Sequence, residues 1–109
     1  MYAAFNSRDI ETALRHMTPD VDWPNAWEGG RVHGQEAVRD YWTRQWSAIE
    51  PSVEPVGFSA RPDGSVAVEV DQVVRDRDGR LLGEARVLHV YVFHAELVAR
   101  MDVEELASQ

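Results

Sequence analysis

The sequence predicts an α+β fold in which N-terminal helices pack on a curved, mostly antiparallel sheet. Helical periodicity is confined to the N-terminal part, up to about Ile49. Alternating β-branched segments, separated by turn signals, fill the remainder. Helices first and a meander afterwards, with no alternating β-α units, is the α+β pattern. At 109 residues the chain has room for one core, so residues 1–109 are expected to form a single domain.

Each element has its own local reason. Asp9 is a good N-cap, and Ile10, Ala13, Leu14 and Met17 share one helical face, so Met1 to about Met17 reads as helix in two pieces. Thr18-Pro19-Asp20 is expected to stop it, because proline cannot continue the hydrogen-bond ladder. Val21-Asp22-Trp23-Pro24 is a short extended piece, and Asn25 to Gly34 reads as a loop or irregular hairpin. From Gln35 to about Ile49, apolar residues including Val38, Tyr41, Trp42 and Trp46 form a stripe of the 3.6-residue period, which Glu50-Pro51 ends. Strands follow over Val53–Ala60, Ser65–Asp76, Leu81–Phe93 and Leu97–Glu105. Arg61-Pro62-Asp63-Gly64 and Arg77-Asp78-Gly79-Arg80 are the turns between them, and His94-Ala95-Glu96 is a tight connection.

Composition removes several kinds of chemistry. The net charge is −8 and no basic stripe is visible, which disfavours nucleic acid and anionic membrane surfaces. No run approaches the roughly 20 apolar residues of a membrane helix, and the start lacks a secretory pattern, so a cytoplasmic protein is expected. There is no Cys, which excludes thiol nucleophiles and thiolate metal sites. There is no Lys either; all 11 basic side chains are Arg, so Schiff-base chemistry is out. No His, Asp and Glu spacing makes a metal site, and neither metal nor cofactor is expected.

Side chains alternate across a sheet, and this allows the faces to be read. Val66, Val68, Val70 and Gln72 share a face that must meet the helices. On the long strand Val87, His89, Tyr91 and Phe93 share one face, while Leu88, Val90 and Val92 lie on the other. Apolar residues on both faces imply cover on both, so a homodimer through the outer face at Leu88, Val90 and Val92 is expected. His89, Tyr91 and Gln72 should project into a cavity walled by Trp23 and Trp42, with Val68, Val70, Val87 and Met101 completing the lining. The expected partner is a small apolar organic ligand.

Three segments resemble the nuclear-transport-factor-like superfamily, nearest its SnoaL-like branch, related to polyketide cyclases. They are Ala3-Ala4-Phe5-Asn6 with Asp9, Pro19-Asp20-Val21-Asp22-Trp23, and His33-Gly34-Gln35-Glu36-Ala37-Val38-Arg39-Asp40-Tyr41-Trp42. The tail from His89 to Asp102 is similar to the family's last two strands. The resemblance implies a cone-shaped α+β barrel with a pocket between sheet and helices, and frequently a dimer through the sheet. Relatives carry a glycine in the last turn, where this chain has Ala95-Glu96.

The same resemblance bears on chemistry. Ketosteroid isomerases use an aspartate base, a tyrosine and a protonated acid. Those positions fall here on Trp23, at or before Met1, and on His89, so that mechanism is not expected. By resemblance to SnoaL-type cyclases, His89 is the candidate general acid or base and Asp102 a weaker one, since alternation with Met101 and Val103 turns Asp102 outward. The expectation is a cofactor-independent isomerase, cyclase or hydrolase acting on an apolar substrate. Its alternatives are a non-catalytic ligand-binding module, or a dimerisation module with a vestigial pocket.

Overall fold

The computed structural model describes residues 1–25 and 27–105. The elements are α1 (Tyr2–Asn6), α2 (Ile10–Leu14), β1 (Met17–Pro24), β2 (Arg31–His33), α3 (Gln35–Ala48), β3 (Ile49–Ala60), β4 (Val66–Asp76), β5 (Leu81–His94) and β6 (Leu97–Glu105). The fold is α+β. The strands form one sheet in the order β2-β1-β6-β5-β4-β3, which is open, with β2 and β3 as its edges, where a barrel would be closed. Every pairing is antiparallel except that of β1 with β6. Among the described residues no helix is long and apolar enough to cross a membrane.

Asp9 caps α2, accepting from the Thr12 backbone N–H at 3.3 Å and from its hydroxyl at 2.7 Å. Gly34 starts α3 with φ of +88°, a region costly for any residue carrying a Cβ. The helix then buries Val38, Tyr41, Trp42 and Trp46 against the sheet. Trp42 meets Phe5 edge-on at 5.2 Å and stacks on Trp46 at 5.6 Å, joining the helices in one aromatic cluster.

Two prolines, Pro19 and Pro51, behave differently from expectation. Met17 begins β1 rather than ending a helix, and Pro19 lies inside that strand. The pairing of β1 with β6 slips between Met17 and Asp22, so the missing N–H of Pro19 falls where the ladder is already interrupted. Pro51 does not precede the next strand either; β3 starts at Ile49 and contains both Pro51 and Pro55. An edge strand tolerates them because one row of its N–H groups has no ladder partner.

Arg31 ties β1, β2 and β6 together. Its Nε donates to Asp22 at 2.5 Å, and its Nη1 to Asp102 at 2.9 Å. Its Nη2 donates to the Met101 carbonyl at 2.6 Å. Arg100 completes the cluster with Asp22 at 2.7 Å and Asp102 at 2.8 Å.

On the outer sheet face Val90 is already 7% exposed within one chain, while Val92 remains 43% exposed. Val90 therefore needs no second subunit to cover it. Arg61, just after β3, pairs with Glu104 on β6 at 3.1 Å, so this contact spans β4 and β5 on the face of Leu88 and Val90.

Candidate ligand pocket and active site

A cavity of about 240 Å³ opens between the helices and the concave side of the sheet. Met1, just before α1, lines it with Tyr2 and Phe5 of that helix, and α3 contributes Tyr41, Trp42 and Gln45. Sheet residues include Val53, Gln72, Val74, His89, Tyr91 and Met101. Trp23, Pro24 and Trp27 close the side at the β1–β2 connection. Among the described residues no Asp, Glu or Arg side chain lines the space, so the cavity is apolar with a few neutral polar groups.

Those groups are organised on one side into a chain. The Tyr91 hydroxyl donates to the Tyr2 hydroxyl at 2.6 Å, and Tyr2 lies 3.0 Å from Nδ1 of His89. Tyr2 also stacks on the imidazole, with ring centroids 5.8 Å apart and planes at 19°. Burial lowers the His89 pKa to about 4, so the ring is neutral at pH 7. Burial, opposed by the Tyr91 hydrogen bond, pushes Tyr2 up to about 12. Burial, with Tyr2 beside it, raises Tyr91 as well. All three groups are therefore uncharged.

Counting protons fixes what the chain offers a ligand. If Tyr91 donates to Tyr2, the single Tyr2 proton goes to Nδ1, and the imidazole proton sits on Nε2. The reverse order would leave the proton of the buried Tyr91 hydroxyl without an acceptor among the described residues, which costs more than any neutral hydrogen bond returns. Nε2 makes no hydrogen bond to a described residue. His89 thus presents an N–H donor to the cavity, suited to a carbonyl or similar oxygen.

A model of the SnoaL-like domain matches residues 1–101. The chain belongs to the SnoaL-like domain family. Solved structures with the same fold include TerC, co-crystallised with polyporic acid, at 23% identity and a TM-score of 0.82 over 96% of this chain and 85% of that one. SalBIII, an epoxide hydrolase/cyclase-like enzyme with a role in pyran ring formation in the polyether salinomycin, is 22% identical with a TM-score of 0.77, covering 94% and 82%. RV0760c from Mycobacterium tuberculosis, in complex with estradiol-17beta-hemisuccinate, is 21% identical with a TM-score of 0.76, covering 92% and 83%. At these identities the likeness concerns the fold. No curated protein matches the sequence.

In this SnoaL-like domain the residues expected from the sequence divide into two groups. The cavity brings together Trp23, Trp42, Gln72, His89, Tyr91 and Met101. Val68, Val70 and Val87 do not line it. Val70 is completely buried, so neighbouring side chains roof it where open space was expected, and Val68 packs into the apolar core. Val87 stands opposite Val70 in the same row of the sheet and shares its position outside the lining. Asp102 also stands outside the cavity, engaged by Arg31 and Arg100. The Arg100 hydrogen bond, opposed by desolvation and aided by the charges of Arg31 and Arg100, holds its carboxyl below the usual carboxylate range. Sequence reasoning missed Tyr2 and Gln45, both of which line the cavity. Tyr2 could have been found from helical spacing, since Tyr2 and Phe5 are three apart and lie on one face.

Proposed function

We propose that this SnoaL-like domain is a cofactor-independent enzyme for a small apolar organic substrate, in which His89 acts on a substrate oxygen as a hydrogen-bond-donating acid. The observation that carries the reading is the Tyr91–Tyr2–His89 chain ending at a free Nε2–H inside an uncharged cavity. A fixed donor stabilises negative charge as it develops on a carbonyl oxygen, and so favours enolisation in which solvent water takes the proton from the adjacent carbon. SalBIII is epoxide hydrolase/cyclase-like, a class of chemistry that such a donor assists.

A second reading, a non-catalytic binding module, is favoured by one observation: no carboxylate lines the cavity beside His89 among the described residues. Incubation with 2-tetralone in D2O separates the two. Exchange of the α-protons followed by NMR should be faster with the wild type than with His89→Phe. Binding without accelerated exchange would select the binding module, and neither binding nor exchange would sink both.

We also propose a homodimer through the outer sheet face. The support is Val92, apolar and 43% exposed on the outer face that it shares with the half-buried Leu88, where a second copy would bury it. Sedimentation at micromolar concentration showing only monomer would refute it.

A further inference from the structure

The cavity has a second polar region, away from the tyrosine–histidine chain. Gln45 on α3 and Gln72 on β4 both line it, and neither side-chain amide has a hydrogen-bond partner among the described residues. Gln72 stands opposite Val53 of β3, and Gln45 lies one helical turn before Ile49, where that strand starts. The two amides therefore flank the end of the cavity at which α3 runs into β3, one from the helix wall and one from the sheet wall.

The register gives the distance to the other polar group. His89 stands opposite Val68, and Gln72 is four residues further along β4 on the same face. That offset is about 13 Å between backbone positions, so a ligand reaching both groups through hydrogen bonds of about 3 Å, inclined to its axis, spans roughly 10 Å. The aromatic and aliphatic wall between them, with Trp42 and Phe5 opposite, holds no charged side chain among the described residues. Each glutamine amide supplies two donors and an acceptor, so the pair suits a neutral group that both gives and takes hydrogen bonds. An unpaired carboxylate there would lose its hydration without gaining a cation.

We propose that the cavity takes a neutral, elongated molecule with an acceptor oxygen at one end, held by His89, and a hydroxyl or carboxamide about 10 Å away, read by Gln45 and Gln72. This rests on the reading that the cavity is the working site, and adds the class of molecule that fills it. A two-ring skeleton has the right length, and its volume is comparable with the space of about 240 Å³.

The test uses three matched probes and the fluorescence of the tryptophans that wall the cavity. 4-Acetylbiphenyl carries the acceptor alone, 4′-acetylbiphenyl-4-carboxamide carries both ends, and 4′-acetylbiphenyl-4-carboxylate carries a charge at the second end. On the wild-type protein the carboxamide should bind about tenfold more tightly than 4-acetylbiphenyl, and the carboxylate more weakly than the carboxamide by at least about tenfold. Gln72→Leu and Gln45→Leu, made separately, should erase the carboxamide's advantage while 4-acetylbiphenyl still binds. Equal affinity for the carboxamide and 4-acetylbiphenyl, or preference for the carboxylate, overturns the inference and leaves the site reading standing. If none of the three binds, and 2-tetralone also fails to bind, the site reading falls and takes this inference with it. The comparison of probes on the wild type needs no variant to fold.

Discussion

His89 makes the stability of this protein depend on pH, by an amount that follows from its burial. The ring has a pKa of about 4 in the folded chain, against 6.5 in an unfolded one. Above pH 6.5 both states are neutral and the group contributes no pH dependence. Between about 6.5 and 4 the unfolded state binds the proton and the folded state does not, so stability falls as pH falls through that window. Two and a half units at about 1.4 kcal/mol each amount to roughly 3 kcal/mol in all, of which about 2 kcal/mol is lost between about pH 7.5 and 5. For a domain of this size that is a fall of about 8–15 °C in Tm. Carboxylates also titrate near the acid end, so the measurement is a difference between wild type and His89→Asn. The asparagine keeps an acceptor near Nδ1 for Tyr2 and has no proton to bind. Thermal unfolding of both proteins at the two pH values should show the wild type losing about 2 kcal/mol more than the variant. Equal losses would refute the reasoning, as would an NMR titration of His89 centred near its ordinary value.

Tyr2→Phe should leave the Tyr91 hydroxyl and His89 Nδ1 unpaired and destabilise the fold by about 1–3 kcal/mol in urea unfolding. The same variant should shift the imidazole ¹⁵N signals away from the pattern of a single tautomer; an unchanged pattern would count against the proton order proposed for the chain. Arg31→Met should cost about 1–3 kcal/mol by chemical denaturation, because Asp22, Asp102 and the Met101 carbonyl all lose the same donor. Glu96→Gly should raise stability by about 0.5–1 kcal/mol, since Glu96 holds φ of +70° where glycine is unstrained, and calorimetry would show the gain.

The faces of β4 and β5 were legible because alternation is a local rule: Gln72, His89 and Tyr91 all line the cavity. The long helix was legible for the same kind of reason, with its boundaries at Gln35 and Ala48. What local rules missed came from tertiary context. Pro19 and Pro51 look like terminators in one dimension, but a slipped register and a sheet edge make room for them. Alternation shows that Val70 points inward. It cannot show that other side chains close over it, because that depends on tertiary packing. Arg31 carried no sequence signal at all, since its three partners come from β1 and β6.

The distance along the chain between Tyr2 and its two partners has a consequence for synthesis. The hydroxyl must find groups 87 and 89 residues further on, so it emerges from the ribosome several seconds before either exists. During that interval the short α1 helix has no partner on β5, and Tyr2 faces water as an ordinary phenol. A nascent chain that stops short of β5 cannot hold a ligand through His89. Ligand capture is therefore a sign that translation has passed the penultimate strand. Ribosome-bound intermediates of graded length, probed with a fluorescent ligand, would switch from silent to binding over that strand.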